Sequence, residues 1–413
     1  AEPAAPLAFD LQASGKGGNA DLQGRVRQGD LTATLQPSHL RLEDQVLTVA
    51  PLVVDAFEGR TQLRGTADFR DRENATFRFS VISRGLRFTP SPDPATPEAP
   101  AVPVELAEAR LGVAGNLKAW AAIGRATVER EGQRAELVFD SRGNDQRAQL
   151  KQVQAKTPGG ALDLTGEVAW TPQLSWDVTA QLAKFDPGYF VPGWNGNLSG
   201  KVASRGRQLP APAGGVSPGF EATAEIPSLS GQLRQRKLEA SGRFALRESQ
   251  GEGDLRLALG NSRLTAKGKV GDTLDIAAQL TPLQLDDLMP GATGSLRGDV
   301  QLKGRRDAPD ITADLTGSGL RWNDWSADSV SLRGHLPWRG SNGELLLQGK
   351  AINAGMVLDS VRVHAQGAVE NLRLDADVRN ELATLALQGA ARRNGARWQG
   401  ELSTLRIVPA KGD

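Results

Sequence analysis

The chain of 413 residues has no cysteine, three histidines, two methionines and a single tyrosine. Without a thiol it can form no disulfide framework, no thiolate metal site and no cysteine nucleophile. His39, His335 and His364 lie far apart, and none has a second His or Cys at metal-ligand spacing. There is no P-loop and no G-x-G-x-x-G fingerprint. The reading is a protein that is not an enzyme and needs no cofactor or metal.

An excess of charge is missing too. Lys and Arg number 49 against 48 Asp and Glu, for a formal net charge of +1, so no broad basic field for nucleic acid is expected. No stretch approaches the ~18 apolar residues of a spanning helix. The most apolar one, Val46 to Val54, is broken by Thr48 and Pro51. The opening AEPAAPLAFD has no basic segment followed by an apolar core, so no signal peptide is expected there.

Glycine is abundant, at 47 of 413 residues, roughly 1.6 times the usual ~7%. That excess suits an all-β chain with many turns. Part of it lies in a repeat: VPGWNGNLSGKVASRG from Val191 returns as MPGATGSLRGDVQLKG from Met289. Pro192, Gly193, Gly196 and Gly200 match Pro290, Gly291, Gly294 and Gly298, each at the same offset, 290 − 192 = 98. These are read as turn and close-packing positions with no ligand role of their own. Related copies near 185–206 and 283–304 mark a supersecondary unit used twice.

Elsewhere the chain alternates apolar and polar residues with period two. Leu137 and Phe139 belong to one such run, and Leu162, Leu164 and Val168 to the next. Trp176, Val178 and Leu182 follow, then Leu255 and Leu257, then Leu296, Val300 and Leu302. Ile311 and Leu315, and finally Leu372, Leu374 and Val378, complete the set. The intervening positions are rich in Asp, Glu, Arg and Thr. Period two with one apolar face predicts strands buried on one side only. Prolines at 90, 92, 94, 97, 100 and 103 predict an extended loop or linker. The expected organisation is a β segment over 1–89, that loop over 90–103 and a repeat β segment over 104–413. Val104 to Leu111 is the best helix candidate, and single helical turns are expected over Gly188 to Val191 and Leu285 to Met289.

At ~14–16 residues per strand and turn, the length gives roughly 25–29 strands. Open sheets beyond about ten strands curl, split or close. A transmembrane barrel needs a lipid-facing exterior and aromatic girdles, which conflicts with dense mid-strand charge and one tyrosine. A stack of β-sandwiches fits the alternation. So does a long coiled antiparallel sheet forming a taco-shaped trough, apolar inside and charged outside, and this is the fold expected. Uncovered apolar surface of that extent marks a binding site. Moving a 16-carbon acyl chain into water costs about 12–13 kcal/mol at ~0.8 kcal/mol per CH₂, a cost that a continuous aliphatic lining removes. The aliphatic and aromatic positions named above are the expected lining.

The two repeat copies, the run from Trp170 to Gly200, LGNSRLTAKGKVGDTLDIAAQL from Leu259 and PDITADLTGSGLRWNDWSADSVSLRG from Pro309 resemble the TamB group. This group belongs to the AsmA-like family of bridge-type lipid transport proteins. The likeness covers about 161–334 by motif and the remainder by strand style. It rests on the order and number of loose Gly, Pro and Leu patterns. The resemblance implies a periplasmic β-trough of Gram-negative bacteria whose partners are phospholipid acyl chains, passed between inner and outer membranes. Alternatively it implies an assembly chaperone for outer-membrane or autotransporter proteins, acting with a TamA-type outer-membrane barrel. It further implies that the full-length protein is anchored in the inner membrane. Neither an anchoring helix nor a partner-contacting end is identified here, so an internal fragment is expected.

Other readings of single residues are weaker. Trp170, Trp176, Trp194, Trp322, Trp325 and Trp338 could form sugar platforms in a glycan-binding solenoid, but core or rim packing is the default. Carboxylates alternating with Arg are read as cross-strand ion pairs on a solvated face.

Overall fold

The computed structural model describes residues 7–29, 31–89, 103–189, 193–210, 219–289, 291–340, 342–394 and 397–410. The chain divides into two compact units, Ala1–Leu209 and Pro210–Asp413. Each is all-β and holds thirteen strands.

Unit 1 begins with β1 (Leu7–Lys16), β2 (Asn19–Gln28), β3 (Leu31–Glu43) and β4 (Val46–Ala56). There follow β5 (Gly59–Asp68), β6 (Thr76–Phe88), β7 (Val104–Asn116), β8 (Ala119–Arg130) and β9 (Gln133–Gly143). It ends with β10 (Arg147–Thr157), β11 (Gly160–Ala169), β12 (Ser175–Phe185), a 3₁₀ turn (Pro187–Tyr189) and β13 (Leu198–Gln208). Each strand pairs antiparallel with the next one in the chain.

Unit 2 begins with β14 (Phe220–Leu233), β15 (Arg236–Arg247), β16 (Gln250–Leu259), β17 (Ser262–Val270) and β18 (Thr273–Gln284). The single-turn helix α1 (Leu285–Leu288) leads into β19 (Thr293–Arg305), β20 (Ala308–Trp322), β21 (Trp325–Leu336) and β22 (Gly343–Asn353). The unit closes with β23 (Val357–Ala368), β24 (Asn371–Arg379), β25 (Ala383–Asn394) and β26 (Arg397–Pro409). It is again a meander of neighbours. Among the described residues β1 pairs only with β2 and β26 only with β25, so the strands do not close into a barrel.

The segment Val104 to Leu111 is strand β7, not a helix. A bulge lies between Leu106 and Glu108. It shifts the apolar parity from Val104 and Leu106 to Ala109, Leu111 and Val113, and that shift mimics helical spacing. The turn expected over Leu285 to Met289 forms as α1, and the 3₁₀ turn covers the start of the one expected over Gly188 to Val191, whose residues 190 and 191 lie outside the described residues. Residues 90–102 lie outside the described residues, and the strands that flank them pair with each other, Phe88 opposite Val104.

Pro309 and Pro409 sit in register near strand ends, and the prolines farther inside strands share another place. Pro37, Pro51, Pro227 and Pro282 all fall at breaks in register, in β3, β4, β14 and β18. A bulge leaves one residue out of the ladder, where a missing N–H costs nothing. Bulges also bend the strand and raise its twist, which coils the sheet.

Among the described residues, the strands of each unit form one meander with no second sheet of their own. The chain exposes 26455 Å², whereas a compact 43.9 kDa protein exposes roughly 15,000 Å². The buried set is short and dominated by Ala and Leu. Apolar side chains on one face are half-buried while the opposite face is exposed. With one layer only, that asymmetry means each sheet curves so that its apolar side chains crowd one another. Each unit is a coiled antiparallel sheet, apolar on one face and charged on the other.

Candidate functional site

Directly paired residues of antiparallel strands project on the same side, so the register can be followed as rows running across each sheet. In unit 2 one row passes through Leu229, Ala240, Leu257, Leu264, Leu280, Gly298 and Leu315. It continues through Leu332, Leu347, Val363, Ala376, Leu387 and Leu405. The row crosses every strand of the unit without a polar side chain. Twelve strand spacings at ~4.8 Å make its path about 58 Å.

The corresponding row of unit 1 is Leu11, Gly24, Leu35, Val54, Thr61, Ser83 and Ala109. It goes on through Ala126, Leu137, Ala155, Leu162, Leu182 and Gly200. It carries no charge, but two hydroxyls interrupt it. Thr61 Oγ1 and Ser83 Oγ satisfy each other at 2.9 Å. Ser38, Ser83 and Ser141 are buried in unit 1, whereas Ser262 is the buried serine of unit 2 among the described residues.

Every aliphatic or aromatic position named from the alternation projects on these apolar faces, and each is half-buried. Leu137, Phe139, Leu162, Leu164, Val168, Trp176, Val178 and Leu182 share one face in unit 1. Leu255, Leu257, Leu296, Val300, Leu302, Ile311, Leu315, Leu372, Leu374 and Val378 share one face in unit 2.

Aromatic rings keep the face low where they occur. Each of four lies over a facing glycine: Phe79 on Gly65, Trp120 on Gly143, Trp176 on Gly206 and Phe244 on Gly253. A Cβ at Gly206 would sit 2.3 Å from the Trp176 ring. Trp176 Nε1 donates to Ser204 Oγ at 3.0 Å, so its polar edge is satisfied on the same face. The other tryptophans are elsewhere. Trp170 donates to Asp145 O, Trp338 donates to Glu370 with Arg393 over its ring, and Trp322 and Trp325 pair at an exposed hairpin tip. Trp194 is half-buried beside the repeat turn.

The outer face carries the charge. Arg205 meets Asp177 across strands at 2.7 Å, Arg243 meets Glu225 at 3.0 Å and Arg333 meets Asp314 at 3.1 Å. Such exposed pairs are worth ~0–1 kcal/mol each and serve register more than stability. Arginine hydrogen bonds hold several carboxyls below their ordinary range, Asp55 by Arg60, Glu370 by Arg339 and Asp68 by Arg70, the last down to about 2. His39, His335 and His364 bond to Asp21, Thr312 and Glu344 respectively, and no group of three metal-ligating side chains occurs among the described residues.

The repeat turns are built alike. Gly193 (φ 80°) and Gly291 (φ 79°) both take the left-handed conformation that a side chain resists. Gly200 and Gly298 sit opposite Leu182 and Leu280 just inside the following strands. Gly294 is left-handed as well, and the Gly196 N–H donates to Asp186 Oδ1 at 2.7 Å. Pro192 and Pro290 lie outside the described residues. One cluster had no signal in the sequence pattern: Asp287 of α1 is buried against Arg236 and Ser262. Its members are dispersed along the chain, and only the fold back of α1 brings them together.

One layer of antiparallel strands with one apolar face, found in each unit, is the class of fold that these rows define. The chain belongs to the TamB family. The family's "TamB, N-terminal domain" matches residues 94–413. Among curated relatives, the translocation and assembly module subunit TamB of Haemophilus influenzae is 26% identical over 261 residues. That match covers 62% of this chain and 20% of the relative, so the chain spans a small part of the relative's length. No solved structure matches the chain.

Proposed function

We propose that the apolar face of each unit serves as a conduit surface for phospholipid acyl chains in the periplasm, as part of a longer protein anchored in the inner membrane. The observation that carries the reading is the row from Leu229 to Leu405, which crosses thirteen strands with only Leu, Val, Ala and Gly. An acyl chain moving along such a surface meets no charged group to pass and no gap to cross. At ~25 cal/mol per Å² of apolar area, each step exchanges one aliphatic contact for an equal one, so the surface holds the chain without trapping it at a single point. The reaction needs no catalytic residue and no cofactor.

Photocrosslinkers test this directly. At Leu164, Val178, Leu296 and Leu374 they should capture phospholipid, and at Asp163, Asp177 and Arg373 they should not. Equal labelling of the two faces would end the conduit reading. Phospholipid co-purifying with the protein in native mass spectrometry is the supporting measurement.

The relative's printed name, a subunit of a translocation and assembly module, favours a second reading: the one the family resemblance implied, assistance to the assembly of outer-membrane or autotransporter proteins with a TamA-type barrel. Its mark would be binding of unfolded barrel strands that survives Leu315→Arg and Leu347→Arg. Loss of that binding together with lipid capture would assign both to the apolar face.

A further inference from the structure

The apolar face of unit 2 is not equally accessible along its strands. At one end of β15 to β17, Leu246 is 47% exposed and Val270 is 39% exposed. At the other end, on the same face, Leu238 is 4% exposed and Leu259 is 1% exposed. No extra strand explains the difference. α1 reaches the protected end through Asp287, which bonds to Ser262, the residue paired with Leu259, and to Arg236, two residues before Leu238.

Four residues of helix have almost no stability of their own. Gln284, at the position before α1, makes no side-chain capping bond. The element must therefore be held by what it touches. Asp287 Oδ2 accepts hydrogen bonds from Ser262 Oγ at 2.6 Å and from Ser262 N–H at 3.1 Å. Its Oδ1 pairs with Arg236 Nε, while Arg236 Nη2 also donates to Asp286 Oδ2 at 2.6 Å. Arg234 Nη1 donates to the Asp287 carbonyl oxygen at 3.4 Å. The Asp287 side chain is 5% exposed. These contacts tie the β18–β19 connection to the β16–β17 turn and, beyond it, to the β14–β15 turn. Three successive hairpins are fastened at one end of the sheet.

We infer that α1 is a lid over this end of the apolar face and that Asp287 is the latch that keeps it shut. Under the lid, Leu238 and Leu259 are removed from any ligand, and the accessible track is confined to rows farther from these turns. The inference concerns access, and it holds whether the face takes lipid, unfolded protein or neither.

The absence of cysteine makes the test clean. Leu259→Cys and Val270→Cys are introduced singly into the intact chain and their reaction with a soluble maleimide is timed. Leu259→Cys should react at least about tenfold more slowly than Val270→Cys, since ~1.4 kcal/mol of opening free energy is a factor of ten. Adding Asp287→Ala should speed the Leu259→Cys reaction about tenfold or more and leave that of Val270→Cys unchanged. Ser262→Ala, which removes one hydroxyl donor and keeps the ion pair, should give a smaller acceleration in the same direction. Equal rates at the two cysteines in the parent would overturn the lid. A slow Leu259→Cys in both the Asp287→Ala and Ser262→Ala backgrounds would overturn the latch. General acceleration at both cysteines with Asp287→Ala is global unfolding, and the Ser262→Ala pair then decides.

Discussion

Unit 1 fastens the connection between β12 and β13 with Tyr189, and unit 2 fastens the connection between β18 and β19 with Asp287. The two positions are equivalent in the repeat, since 287 − 189 = 98. Tyr189 is buried, and its hydroxyl donates to Val128 O at 2.7 Å, at the β8–β9 hairpin. Burial pushes its phenol above the ordinary value, which keeps it a neutral donor. Arg130 of the same hairpin donates to the Tyr189 carbonyl at 3.0 Å, as Arg234 does to that of Asp287. Geometry is shared, then, while the fastening is a neutral hydrogen bond in one unit and a buried ion pair in the other. The fold needs the connection pinned to the hairpin two turns back and is indifferent to the chemistry that pins it.

The largest effect expected from breaking this comparison is Asp287→Ala. Removing one member of a buried pair costs about 3–5 kcal/mol, and Asp286 remaining on Arg236 puts the loss near the low end. Urea unfolding and hydrogen exchange in β15 to β17 measure it, with β1 to β6 of unit 1 as the unchanged reference. Conservative changes sharpen the contrast. Asp287→Asn should lose ~1.5–3 kcal/mol and Tyr189→Phe only ~0.5–1.5 kcal/mol, as charged and neutral hydrogen bonds differ. Equal losses would mean that the two fastenings are energetically the same.

A second contrast lies along the rows. Unit 1 carries the Thr61–Ser83 hydroxyl pair where the equivalent row of unit 2 is wholly aliphatic. Ser83→Ala strands a hydroxyl and should cost about 1 kcal/mol. Thr61→Val with Ser83→Ala together should cost less than that, because replacing both partners is nearly neutral. A double variant worse than the single one would show that the hydroxyls serve something besides each other.

Acid should separate the units least. Asp55, Asp68 and Glu108 in unit 1, and Glu239, Asp307 and Glu370 in unit 2, are all lowered by Arg or Lys hydrogen bonds. A lowered folded value stabilises above the ordinary carboxylate pKa of about 4 and loses that contribution as pH falls through it. Thermal melting should be flat from pH 7 to 5 and decline in both units below about pH 4. A fall in one unit alone above pH 5 would point to a titrating group other than these.

Much of this was legible in the sequence because a one-layered sheet writes itself in period two. Leu372, Leu374 and Val378 against Arg373, Asp375 and Asp377 read as a strand with one apolar face, and only the structure separates one layer from a sandwich. The repeat turns were legible for a related reason, since glycines such as Gly193 and Gly291 answer to a backbone angle and not to a partner. Illegible were the places where a bulge shifts parity. Ala107 turned β7 into an apparent helix, and Pro51 in β4 looked like an interruption when it marks a bend. The Asp287 cluster could not be read either. Arg236, Ser262 and Asp287 come from three separate hairpins, and only the local fold back of α1 makes them neighbours.

Because each described strand hydrogen-bonds, within its unit, with its neighbours in the chain, the ladders themselves wait for no distant segment, and the Tyr189 and Asp287 fastenings close only after the hairpins they join have formed. Order can therefore spread from any completed hairpin to the next, in the sequence in which the polypeptide is delivered. Across a boundary where a chain emerges extended, such a sheet could be laid down strand by strand. Lengthening it by further meanders would add reach without disturbing what had already formed.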